Sequence, residues 1–171
     1  MTGKYKLIGI IIWMNLSVSA QDVITSFLDK HSKDDNLEVV SIGKKMIETL
    51  YDLISDNPDL KEAIKGLETI RIISSKDRDL DKEYYDSAQE LASKSKGMEE
   101  YFSISKENKE IKVMIRKSKE LIKELILLSE QPEGFNLISI RGTIDLDVLL
   151  KYSKGLNIKE LDHLRSVENN Q

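Results

Sequence analysis

From Met98 onward the apolar side chains recur at every second residue, whereas upstream they recur three and four residues apart. Leu80, Tyr84, Ala88, Leu91 and Ala92 share one face of a helix predicted over about 80–95. Beyond Gly97, Tyr101-Phe102-Ser103-Ile104 reads as a strand and Lys106 to Lys109 as a turn. Ile111, Val113 and Ile115 then alternate with Lys112, Met114 and Arg116, a hairpin with one buried face. A chain that changes period in this way mixes helices with strands.

The N-terminal half supplies the other elements. Val23, Ile24, Phe27 and Leu28 mark a short amphipathic helix over 22–30, and Leu37 to Ile42 is a short β-branched strand. Met46, Ile47, Leu50, Tyr51 and Ile54 recur at helical spacing over 43–55. Asn57-Pro58-Asp59 is a helix start: a capping amide, a proline where no N–H is needed, and a carboxylate at the positive end of the dipole. Gly66 is expected to close that helix in a left-handed conformation. Glu68 to Ser74 alternates as a second strand.

Leu121 to Leu128 fits helix or strand by periodicity alone. Pro132 and Gly134 follow it, and Phe135 to Ile140 answers as a partner, so a strand is expected there. Gly142 is read as the end of the last strand. Leu146, Leu149 and Leu150 then mark a helix closed by Gly155. Asn157 and Glu160 resemble a capping box for a last short helix holding Ile158, Leu161 and Leu164. The predicted fold is α+β: a mainly antiparallel sheet of about five to six strands with helices packed on one face.

The domain organisation follows from the ends. Residues 1–20 combine Lys4 and Lys6, an apolar run from Leu7 to Leu16, and small side chains at Val18 and Ala20, the pattern of a cleaved secretory signal peptide. The run is too short to span a bilayer, since ten helical residues rise only about 15 Å. Export to the periplasm or the medium is therefore expected, with no membrane span after cleavage. Residues 21–167 form a single domain, and 168–171 a polar tail. A chain of this length can bury one self-sufficient core. It contains no cysteine, so neither a disulfide framework nor a thiolate site contributes.

The segment 134–150, GFNLISIRGTIDLDVLL, resembles the family catalogued as domain of unknown function 4252, small exported proteins found mainly in Bacteroidota. Ile42-Gly43-Lys44-Lys45-Met46, the apolar strand Leu67 to Ile73, and Glu124-Leu125-Ile126-Leu127-Leu128 extend the likeness across most of 21–165. These are apolar patterns. The resemblance implies an address in the cell envelope and carries over no catalytic residue.

The net charge of −4 argues against nucleic acid as a partner. Asp77-Arg78-Asp79-Leu80-Asp81 spaces carboxylates like a calcium loop but has Lys82 and Ala88 where that loop needs Gly and Glu. A solvated loop whose Asp79 or a neighbouring carboxylate caps a helix is the expected reading. His31 and His163 have no metal-ligand spacing, and no nucleophile elbow or phosphate loop is present. No catalytic residue, cofactor or metal is assigned.

Two oddities remain. Glu124 lies among Leu121, Ile122, Leu125 and Ile126, so burial would demand a cationic partner, with Arg141 favoured over Arg116. Leu125 to Leu128 is apolar toward both faces of a sheet, so this strand is either covered twice or docks a partner on its outer face. In the docking case Tyr101, Met114, Leu125 and Leu127 contribute to the patch, beside Glu124 and Arg141. The expected function is a non-catalytic module that binds an envelope protein or a small ligand through a sheet face. The alternatives are an enzyme with a carboxylate or serine site, and a self-associating structural protein such as a homodimer.

Overall fold

A computed structural model describes residues 22–54, 57–75 and 77–147. The elements follow in the order α1 (Val23–Lys30), β1 (Leu37–Gly43), α2 (Lys44–Leu53), α3 (Pro58–Lys65), β2 (Leu67–Ser75), a single 3-10 turn (Arg78–Leu80), α4 (Asp81–Lys94), β3 (Met98–Lys106), β4 (Lys109–Ser118), β5 (Leu121–Gln131) and β6 (Gly134–Ile144). The helix expected around Leu146 to Leu150, the last short helix, His163, the signal segment and the tail lie wholly or mostly outside the described residues.

The strands form one six-stranded sheet in the order β1-β2-β6-β5-β4-β3, and every neighbouring pair is antiparallel. The expected α+β class holds. Residues 98–144 make a meander of three successive tight turns, while β2 is joined to β3, at the far edge, by α4. That helix has 14 residues and rises about 21 Å. The strand-to-strand steps from β2 to β3 come to about 19 Å, so α4 is long enough to carry the chain across the sheet.

Two apolar layers result. Ile73, Met114, Ile126, Leu128, Phe135 and Leu137 face α1 and α4, packing on Phe27, Tyr84, Tyr85 and Ala88. Val113, Ile115, Leu125, Leu127, Ile138 and Ile140 face the other way, in one cluster with Ile47 of α2 and Ile64 of α3. The helices thus divide between the faces instead of sharing one. The physical reason is the run Leu125 to Leu128: a central strand that is apolar on both sides needs a cover on both.

Local chemistry explains the helix ends. Asn57 Oδ1 accepts the Leu60 N–H at 3.1 Å, and Pro58 occupies the first helical position. Gly66, however, has φ −80° and ψ −11°, so the left-handed closure expected there does not occur. Gly142 lies inside β6 rather than ending it. The Thr143 N–H donates to the Gly66 carbonyl at 2.7 Å, which draws the α3–β2 turn onto this strand.

Gly142 is required there twice over. Its φ is +136°, and a Cβ would stand 2.3 Å from the Gly66 carbonyl oxygen and 2.7 Å from Leu67 Cα. Gly142→Ala should therefore cost about 2–3 kcal/mol of stability. A lower urea midpoint with an unchanged slope would be the readout; an unchanged midpoint would mean that this close approach is not maintained.

Candidate functional site

One end of the sheet carries a row of charge. Thr69, Arg141, Glu124 and Arg116 are register partners across β2, β6, β5 and β4. Glu124 is buried, and Arg116 Nε donates to its Oε2 at 2.9 Å, while Arg141 Nε stands 3.9 Å from its Oε1. The expected Glu124–Arg contact is present, but the hydrogen-bonding partner is Arg116 rather than the favoured Arg141. Asp22, just before α1, brings a second carboxylate: its Oδ2 lies 2.7 Å from Arg71 and 3.8 Å from Arg141. Arg116 Nη2 also donates to Ser95 Oγ at 2.8 Å, at the end of α4.

Three guanidinium groups and two carboxylates therefore fasten the start of α1 and the end of α4 to the sheet. Such a network holds elements in register and supplies no nucleophile. Its exposed member is Arg141, whose side chain is about half open to solvent.

The remaining residues expected at a docking face are not brought together. Met114 packs under α1 and α4, whereas Leu125 and Leu127 point into the opposite layer, and all three are buried. The continuous outer-face patch expected from them does not form, because both faces of β5 are covered. Tyr101 alone is exposed, at 51 %. It sits at a register shift between Glu100 and Phe102 on the edge strand β3, where the bulge turns it outward.

A contact that sequence reasoning missed joins α1 to α4. His31 Nε2 and Ser87 Oγ are 3.0 Å apart, fifty-six residues apart in sequence, a separation that leaves no local motif. The His31 ring packs on Phe27 at 4.6 Å and edge-on to Tyr84 at 5.2 Å. Tyr84 donates its hydroxyl to Asp34 Oδ2, and Asp34 Oδ1 accepts the Asn36 N–H.

A serine beside a histidine is the start of a nucleophilic site, but the rest does not follow. Ser87 is buried in the middle of α4, and the open groove beside His31 is lined by residues 29–34 and not by Ser87. The Asp34 carboxylate is held by Tyr84 rather than by the imidazole. The group is a packed junction between α1 and α4. Asp77 likewise behaves as a cap: its Oδ1 accepts the Asp79 N–H at the start of the 3-10 turn. The capping carboxylate expected near Asp79 is thus Asp77. Among the described residues no group of three or more His, Asp and Glu could hold a metal ion.

Burial, reinforced by Lys30, pushes the His31 imidazole below its ordinary value of 6.5, against smaller opposing effects of Glu83 and Asp34. The unfolded chain therefore binds this proton more readily than the folded one. The stability contributed by neutral His31 is present above pH 6.5 and is lost as pH falls below that value. The Tyr84 hydrogen bond holds the Asp34 carboxyl below its ordinary 3.8, which adds acid sensitivity only at still lower pH. Urea midpoints at about pH 7.5 and about pH 5.5 should differ, and His31→Gln should flatten that difference. An equal slope in the variant would remove His31 from the account.

The apolar surface left open lies elsewhere. Val39 and Val40 of β1 are each 45 % exposed, and Met46, Leu50 and Leu53 of α2 are exposed as well, Leu53 at 73 %. The three α2 residues fall at i, i+4 and i+7, one stripe about a quarter-turn round the helix from Ile47, Tyr51 and Ile54. The sequence does contain this signal: α2 has apolar residues on two adjacent faces, more than one buried face can use.

A family model described as Domain of unknown function (DUF4252) matches residues 31–152. No curated protein and no solved structure matches the chain.

Proposed function

We propose, the chain belonging to this family of domains of unknown function, that it is a non-catalytic interaction module that meets its partner along the β1 edge and the α2 stripe. The supporting observation is the location of the open apolar surface: Val39, Val40, Met46, Leu50 and Leu53 gather it on β1 and α2, Tyr101 and Leu121 standing apart on β3 and at the start of β5, whereas both faces of the central strands are buried. Val40 shares the α2 side of the sheet with the α2 stripe, while Val39 projects from the other side of the same edge, and clustered exposed apolar groups mark sites of association. The Ser87–His31 contact, lacking an open face, favours no hydrolytic alternative.

The reading includes export. The signal-like residues 1–20 support cleavage after Ala20 and action in the periplasm or outside the cell. Among the described residues no helix is long and apolar enough to cross a membrane.

The test is photocrosslinking in the native host from a reactive amino acid placed at position 53, with position 96 as a control. A discrete adduct at 53 that is absent at 96 is expected. No adduct above the control would refute the interaction reading. Mass spectrometry of the same material should find the chain beginning at Gln21; an intact Met1 would refute cleavage.

A further inference from the structure

We infer that the partner along this surface is a second copy of the chain, joined about a two-fold axis by antiparallel pairing of β1 with β1. This rests on the interaction reading above and names its partner.

The two edges of the sheet differ in how they are protected. β3 carries Glu99, Glu100 and Lys106 and is interrupted by the register shift at Tyr101, devices that blunt an edge against pairing. β1 has only one charge, Glu38, and no bulge. Its register with β2 runs unbroken from Leu37 to Gly43, it contains no proline or lysine, and among the described residues no strand pairs with its outer side. Val39 and Val40 are β-branched and half open, the composition that favours strand addition.

The strand is compatible with itself. LEVVSIG holds a single charge, Glu38. A two-fold antiparallel pairing centred at Val40 sets Glu38 against Ile42, so no like charges meet across the ladder.

The helices then fit the same symmetry. α2 packs over β1 and β2. Strands lie about 4.8 Å apart, so a helix seated above that pair comes within about 10 Å of its symmetry mate, the normal separation of packed helices. The stripe Met46, Leu50 and Leu53 would fill the space between them. Lys44 and Glu48 line the groove between α2 and α3, on the far side of the helix from this stripe, so the stripe meets its mate without burying them. The two-fold runs the helices antiparallel, so their backbone dipoles oppose each other favourably.

The experiment is sedimentation equilibrium on the protein purified from its full-length gene, over a range of concentrations. The expected mass is twice that of the protomer. Val40→Lys, and separately Leu53→Glu, should each raise the dimer dissociation constant by about tenfold or more. Leu53 is the most exposed of these side chains, so its variant folds whatever happens to the edge, and far-ultraviolet circular dichroism should match the parent. A parent that is monomeric throughout, or a dimer unmoved by both variants, overturns the proposal. A monomeric parent that still forms a crosslinked adduct of another mass from position 53 overturns self-pairing and leaves the interaction reading standing. No adduct and no dimer removes both.

Discussion

Leu127→Ala should lower the stability of this domain by about 3–4 kcal/mol and its melting temperature by about 10 °C. Leu127 has no solvent-accessible surface. It sits at the middle of β5, paired in register with Val113 on one side and Ile138 on the other, both members of the same apolar cluster. Truncation removes its transfer free energy and leaves a cavity between strands that the ladder holds at fixed spacing, so the site cannot collapse to fill it. The denaturant slope should stay constant, since the surface exposed on unfolding hardly changes. A loss below about 1 kcal/mol would show that this side of β5 is not tightly packed.

Arg116→Met should cost about 3 kcal/mol for a different reason. The side chain volume is largely retained, but Glu124 keeps its burial and loses its hydrogen-bonded cation. Arg141 stands 3.9 Å away and makes no hydrogen bond to it. A buried carboxylate in that position bears the desolvation cost without the compensating bond. Ser95 loses its bond to Arg116 at the same time, which loosens the end of α4. The second variant discriminates: adding Glu124→Leu to Arg116→Met should recover most of the loss, because an apolar pair at that point has no charge to desolvate. If the double variant is as unstable as the two single losses added together, the Glu124–Arg116 pair is not the cause.

Much of the architecture could be read from spacing. The alternation of Ile111, Val113 and Ile115 and the stripe of Tyr84, Ala88 and Ala92 gave β4 and α4 their type, because each period reports which side chains must share a buried face. β5 was a harder case. Its leucines and glutamate favour helix, but Pro132 and Gly134 argued for a turn, and the tertiary ladder outweighs propensity there. What remained closed to sequence reasoning is what depends on distant pairing. The placement of β5 between β4 and β6 gives Glu124 two arginine neighbours in register, Arg116 and Arg141. The choice between them is made by irregularities at Arg116/Lys117 and Ile122/Glu124 that no local pattern announces.

The same holds for the candidate sites. Ser87 meets His31 only because α4 crosses the sheet to lie against α1. Leu125 and Leu127 carried a real signal, apolarity on both faces, and of the two outcomes open to such a strand, double coverage is the one realised. The exposed residues of β1 and α2 went unremarked because β-branched strands and apolar helix positions usually point inward. Their exposure follows from β1 being an edge strand and α2 lying over that edge.

The absence of cysteine gives the central claim a clean test. Single cysteines placed at 114 and 127 report the two faces of the sheet separately, and one at 101 reports the open edge of β3. With a thiol-reactive dye under native conditions, Tyr101→Cys should label at once. Met114→Cys and Leu127→Cys should stay unreacted until denaturant is added. Rapid labelling at either 114 or 127 would mean that one sheet face is open to solvent, and would contradict an account in which recognition is left to the edge.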